Sequence, residues 1–177
     1  MHPVVSRFLF LPTYTWNLLL GRLLKTRRWW DHIDPHVILG ARPSRSDADR
    51  LYHQGVRAVV NMCKEYQGPE KEYQRLGIEQ LWLPTVDFNP PTLEDVEKGV
   101  EFVQSNVQNE KAVYVHCKAG RARSATILIC WLVRYRGLNL EEAQLHLLKC
   151  RPHVNKKLTQ RPVVMEYLQK HVAKKPS

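Results

Sequence analysis

The chain has no acidic residue before Asp31, no C-x-x-C pair, no run of twenty apolar residues, no internal repeat and no low-complexity linker. Each absence removes a class of protein. A bilayer-spanning helix needs about 20 apolar residues, and the longest uncharged stretch near the start, Phe8 to Gly21, is shorter than that and is broken by Pro12. The four cysteines, Cys63, Cys117, Cys130 and Cys150, stand at wide, irregular spacing with no zinc-type pairing, and no small-residue cleavage site marks a secretory signal. Both point to a reducing compartment, in which cysteines are either core residues or chemically employed. No His/Asp/Glu cluster has ligand spacing, so neither a metal nor a cofactor is expected. The aromatics do not interleave with basic residues on one face, as a nucleic-acid stacking platform requires.

What is present is positive charge. Lys and Arg number 27 against 17 Asp and Glu, a formal net charge of +10, which favours anionic partners. At 177 residues the chain is sized for one domain. Residues 1–30 read as a separate basic, apolar segment, carrying Arg7, Arg22, Lys25, Arg27 and Arg28 beside Leu, Phe and Trp. Such a segment fits a helix lying in a membrane interface, a targeting sequence, or a helix packed on the domain. Trp29 and Trp30 fit either headgroup level or a plug at the domain's edge.

From residue 31 to 177 the pattern alternates strand and helix. Strands are expected at 36–40, 56–62, 78–83 and 112–115. Ser46 with Asp49 resembles a capping box, Thr92 with Asp95 caps a second helix, the nearly all-apolar 125–135 reads as a buried central helix, and Asn139 with Glu142 opens another. A last helix is expected over 163–172. The succession predicts an α/β domain, a small central, largely parallel sheet flanked by helices.

The chemistry concentrates in Ala112-Val-Tyr-Val-His-Cys-Lys-Ala-Gly-Arg-Ala-Arg-Ser124. An apolar strand stops at Cys117, a glycine-containing loop follows, and Arg123-Ser124 opens the buried helix. In that order the N–H groups of Lys118, Ala119, Gly120, Arg121 and Ala122 can turn around one anion, with the helix N-terminus aimed at the same point. Cys117 in such a field is a nucleophile, since helix ends and cations lower a thiol pKa. Arg123 offers a planar fork for two phosphate oxygens. His116 can hold the cysteine, and Ser124 can donate to the thiolate as it departs. Cys63, Cys130 and Cys150 lie in apolar runs and are expected in the core. Arg151, Lys156, Lys157 and Arg161 extend a basic rim or form a solvated face.

His116-Cys117-x5-Arg123-Ser124 resembles the signature of the protein tyrosine phosphatase superfamily, in its dual-specificity branch. The likeness extends over most of 31–172, including Ile38-Leu-Gly-Ala41-x-Pro43-Ser44 and Gly55-Val56-x-x-Val59-Val60-Asn61. Within that branch the chain resembles in particular the mitochondrial phosphatidylglycerophosphate phosphatase family, through Glu65-Tyr66, Gly77-Ile-Glu-Gln80, Thr85-Val-Asp87 and the signature itself. It departs at Lys64, where that family often carries an acidic or neutral residue. The resemblance implies a cysteine-phosphatase fold and a phosphocysteine mechanism without metal. It also implies that Asp87, independently the best-placed acid before the signature, protonates the leaving oxygen. Glu65 is a candidate for positioning water or Arg123. Lys118 and Arg121 inside the loop favour a substrate with further negative charge, so an anionic phospholipid is expected, phosphatidylglycerophosphate or a phosphoinositide, presented at a membrane surface. A dual-specificity protein phosphatase and a silent phosphate-binding module are the alternatives. In a eukaryote the resemblance and the acid-free start imply the mitochondrial inner membrane, in a bacterium the cytoplasmic face of the inner membrane.

Overall fold

Alternation of apolar residues along three strands dictates a sheet covered on both faces. In the computed structural model, which describes residues 28–172 and Thr15, strand β2 (Val37–Gly40), β3 (Val56–Cys63) and β5 (Ala112–His116) are almost wholly buried. Val37, Leu39, Ala58, Val60, Met62, Val113 and Val115 enter one apolar cluster; Ile38, Val59 and Tyr114 enter the other. This is the period of two that sends successive side chains to opposite faces. Two further strands, β1 (Trp30–Asp34) and β4 (Glu79–Thr85), complete a sheet of order β1-β2-β5-β3-β4. The β2–β5, β3–β5 and β3–β4 pairs are parallel, and β1 alone runs antiparallel, against β2. The expected small, largely parallel sheet is borne out.

Helices α1 (Arg45–His53) and α2 (Glu70–Leu76) cover the face built on Ile38, Val59 and Tyr114. The opposite face takes α3 (Leu93–Gln108), α4 (Arg123–Arg136), α5 (Leu140–Cys150) and α6 (Pro162–His171). Helix α4 is buried continuously from Arg123 to Leu132, as its all-apolar run predicts for the central element of that layer. Thr92 and Asn139 cap α3 and α5 through bonds from the Asp95 and Glu142 amides, as expected. The first capping box, however, is Ser44 with Asp47, not Ser46 with Asp49: the Ser44 amide and hydroxyl both donate to Asp47 Oδ2, at 2.8 and 2.7 Å. Asp47 wins because it is fully buried beside those donors, whereas Asp49 pairs with Arg75 at the surface. Strand β1 and helix α2 were not anticipated; both are short and polar, and tertiary contact makes them.

Most of the basic segment 1–30 lies outside the described residues. Its last residues do not wait for a membrane. Trp29 donates its ring N–H to Arg42 O at 3.1 Å, and Trp30 packs edge-on against Tyr114 under the Arg50 guanidinium. Both tryptophans plug the domain's edge. Cys63 and Cys130 are buried as expected, while Cys150, the last residue of α5, packs against the core but is only half-buried.

Because α4 carries the largest share of the core, Ile127→Ala should destabilise the fold by about 2–5 kcal/mol. Urea titration followed by tryptophan fluorescence measures it, with an unchanged m-value as the sign that only the native packing was lost.

Candidate active site

Parallel strands deliver their carboxyl ends to one edge of the sheet, and ligands of such sheets sit there. Strand β5 ends at His116 and hands Cys117 to that edge; β3 ends at Cys63, just before Glu65; β4 ends at Thr85, just before Asp87. Residues far apart in the chain are thus brought together. Cys117, Lys118, Arg123 and Asp87 share the wall of one cleft of about 570 Å³.

The loop 118–122 is fixed from outside. Its carbonyls all have donors: Arg42 N reaches Lys118 O, Arg151 Nη2 reaches Ala119 O, Arg151 Nε reaches Gly120 O, Asn155 N reaches Arg121 O, and Thr126 N and Oγ1 reach Ala122 O. With the oxygens held outward, the intervening amides are free to face the centre, as anion binding requires. Gly120 is obligatory here. It has φ of 63°, and a Cβ on it would lie 2.4 Å from Gly40 O.

Arg151 is the residue that sequence reasoning missed. It is 1% exposed, not part of a rim, and its Nη1 pairs with buried Asp31 Oδ2 at 2.6 Å. The same guanidinium also donates to Arg28 O and Trp29 O. One side chain therefore joins β1, the chain before it, and two carbonyls of the loop. Nothing in the residues around Arg151 signals this, because its counter-ion stands 120 residues earlier.

Cys117 is almost fully buried at the loop's entrance. Burial pushes its thiol up, but the Arg123 charge, the Ser124 hydroxyl at 3.3 Å, and main-chain N–H groups of Ser124 and Arg121 outweigh that, and its pKa falls to about 7. Cys63 and Cys130 show the contrast: burial raises both thiols. His116 is fully buried, stacked on Tyr114 at 5.5 Å, and burial pushes its pKa down to about 3, so it is neutral at physiological pH.

Arg123 is held by every neighbour the strands supply. Nη1 donates to Thr85 O at 2.8 Å and Met62 O at 3.3 Å, and Glu65 takes both arms of the fork, Oε2 from Nη1 at 3.1 Å and Oε1 from Nη2 at 2.9 Å. Glu65 itself sits on a turn fixed by buried Asn61, whose side chain donates to Tyr66 O and accepts from Cys63 N. Burial disfavours the Arg123 charge, yet Cys117 and Glu65 more than compensate and raise its pKa. Asp87 Oδ1 accepts from Arg123 Nη2 at 2.9 Å, and Asp87 Oδ2 pairs with Lys118. Lys118 is thus buried and matched, with Phe88 beneath its ammonium. Arg121 is exposed and spends its Nε on His153 O at 2.8 Å.

The arrangement is an anion cradle with a thiolate at its floor, a guanidinium on one side and a carboxyl at its mouth. Among the described residues no cluster of His, Cys, Asp or Glu could hold a metal ion. Residues 37–170 match the dual specificity phosphatase catalytic domain. The chain is 37% identical over 165 residues to the phosphatidylglycerophosphate phosphatase PTPMT2 of Arabidopsis thaliana, covering 92% of this chain and 72% of that one. It is 38% identical over 172 residues to the phosphatidylglycerophosphatase and protein-tyrosine phosphatase 1 of Homo sapiens, covering 92% and 86%. Among solved structures, that of PTPMT1 in complex with PI(5)P superposes with a TM-score of 0.74 at 36% identity, over 82% of this chain and 98% of that one. The active form of Tk-PTP gives 0.70 at 28% identity, over 83% and 98%.

Two outcomes test the geometry. Alkylation of Cys117 by iodoacetate should follow a titration centred near pH 7, low below it and full above it, and Ser124→Ala should move the midpoint upward by removing a donor to the thiolate; mass spectrometry of the labelled peptide reads both. Arg151→Met should cost about 3–5 kcal/mol of stability, by leaving buried Asp31 with only the exposed Arg28 and by freeing the Ala119 and Gly120 carbonyls, measured by urea titration.

Proposed function

The chain belongs to the dual specificity phosphatase family, and from that membership we propose that it removes the terminal phosphate of an anionic phospholipid through a phosphocysteine. It is a phosphoric monoester hydrolase. The observation that carries the mechanism is the Cys117 thiol, with its pKa near 7, set in a loop beside Arg123.

The steps follow from the bonds. Arg123 keeps its grip on Glu65 through both arms, so Glu65 is the positioning residue, and the second Nη2 donor, now on Asp87, is the one a phosphate can take. Incoming phosphate oxygens compete with Asp87 for Nη2 and release that carboxyl toward the leaving oxygen. The Cys117 sulfur then attacks phosphorus in line: an S–P bond forms, the ester P–O bond breaks, and Asp87 gives its proton to the departing alkoxide. Loop amides from Lys118 to Ala122 and the Arg123 fork hold the equatorial oxygens, where charge is spread in the transition state. Water next gives a proton to ionised Asp87 as its oxygen attacks phosphorus. The P–S bond breaks, and Ser124 Oγ, already 3.3 Å from the sulfur, stabilises the leaving thiolate. Neutral, buried His116 adds no charge; it ends β5 stacked on Tyr114.

The lipid assignment is supported by the relatives, named as phosphatidylglycerophosphate phosphatases and similar over more than nine-tenths of this chain, and by the PI(5)P complex of a 36% identical structure. The net charge of +10 and the basic segment 1–30 suit an anionic membrane surface, which in a eukaryote is the mitochondrial inner membrane. No helix among the described residues is long and apolar enough to cross a membrane. A protein substrate is the second reading, favoured by the protein-tyrosine phosphatase in the human relative's name.

Phosphate release from phosphatidylglycerophosphate in vesicles should exceed that from a phosphotyrosine peptide; equal or better turnover of the peptide overturns the lipid assignment. Cys117→Ser should abolish turnover of every substrate. Asp87→Asn should reduce kcat about 10²-fold or more on the lipid and far less on p-nitrophenyl phosphate, whose leaving group needs little protonation. An equal loss on both removes Asp87 from the acid's role.

A further inference from the structure

Of the cations lining the cleft, two are matched by carboxylates. Arg123 has Glu65 and Asp87 and Lys118 has Asp87, while among the described residues the Arg121 side chain bonds only the His153 carbonyl and stands exposed to solvent. Arg161 differs. It is half-buried on the wall formed by the segment after α5, and no carboxylate among the described residues lies within ion-pair distance of it. Among the described residues, its guanidinium makes one hydrogen bond, from Nη1 to Thr126 Oγ1, at 3.0 Å. The Thr126 hydroxyl spends its own proton on Ala122 O at 2.9 Å, so its oxygen is left to accept from Arg161. Two bonds thereby fix the Arg161 guanidinium relative to the phosphate loop.

Lys156 stands on the same wall, exposed. Its backbone is pinned on both sides. Asn155 N donates to Arg121 O at 2.8 Å, Asn155 O accepts from the Gln144 amide at 3.2 Å, and Lys157 N donates to Asn155 Oδ1 at 2.8 Å. The wall therefore presents two positive charges on an ordered backbone, facing the space beside Cys117. Burial works against the Arg161 charge, and the Cys117 thiolate is the group whose field opposes that. A partly desolvated guanidinium with an open fork gains most from a bidentate, doubly oxygenated anion.

We propose that Arg161 and Lys156 form a second anion subsite that takes the further phosphate of a headgroup whose terminal phosphate lies over Cys117, and so selects substrates with two phosphate groups over those with one. The subsite rests on the lipid reading above. It moves the source of that selectivity from the loop cations to the wall beside the loop. The second phosphate is the glycerol-linked phosphodiester of phosphatidylglycerophosphate or the inositol-linked one of a monophosphorylated phosphoinositide; the chemistry on Arg161 is the same.

The test measures kcat/KM of the full chain on phosphatidylglycerophosphate, phosphatidylinositol 5-phosphate and phosphatidic acid, in vesicles of constant anionic content, with a phosphotyrosine peptide alongside. In Arg161→Gln the ratio of each two-phosphate lipid to phosphatidic acid should fall about tenfold or more, mainly through KM. Lys156→Gln should give a smaller fall in the same direction, and Arg161→Lys an intermediate one. A fall with only one of the two headgroups names the source of the phosphate. A wild-type preference for lipid over peptide, combined with an unchanged ratio in Arg161→Gln, overturns the subsite and leaves the lipid reading standing. Proportional loss on all three lipids also overturns it, since Arg161 would then be acting on Cys117 alone. No wild-type preference for lipid over peptide overturns both.

Discussion

Everything at the active edge depends on which way five peptide groups point. A loop that is to surround an anion must turn its amides inward, and its carbonyls then face protein, where an unpaired oxygen is costly. Here the oxygens from Lys118 to Ala122 each meet a donor, and the buried Arg151 supplies two of these bonds. Arg151 can be buried because Asp31 neutralises it from a strand at the far edge of the sheet. The antiparallel β1, which otherwise adds little core, is best understood as the carrier of that counter-ion. The loop is thus organised by the fold before any substrate arrives, which is the condition for electrostatic stabilisation without reorganisation.

A second economy of charge governs Arg123. Glu65 fixes the plane of its guanidinium with a two-point contact, while Asp87 makes a one-point contact that a phosphate can displace. The difference follows from where the strands end. Glu65 sits on a turn stiffened by Asn61, and Asp87 precedes Phe88, which takes φ of 65° in an exposed loop. Glu65 is thus tied to Arg123 at two points, and Asp87 is divided between Arg123 and Lys118. Lys118 shares Asp87, so the one carboxylate links the loop cation to the Arg123 fork.

Local pattern made much of this legible. The strands over 56–62 and 112–115, the buried helix over 125–135 and the two caps at Thr92 and Asn139 carry strong periodicity or paired polar signals, and each is found. The signature from His116 to Ser124 was legible because its functional groups are adjacent in the chain. What escaped depends on partners distant in sequence. Arg151 reads as one more basic residue until Asp31 is placed beside it, and β1 reads as polar loop until Trp30 and Ile33 find the sheet. Ser46 and Ser44 both offer a capping box with an acid three residues on; burial of Asp47 decides between them, and burial is a tertiary property. The loop cations were visible, but not that Asp87 would neutralise one of them.

The Arg151 guanidinium holds the Arg28 and Trp29 carbonyls with the same planar group that holds Ala119 and Gly120. Mechanically, this is a lever with its fulcrum at one side chain. The carbonyls of residues 28 and 29 and those of the loop thus lie on one rigid planar group, with no helix or hinge between them.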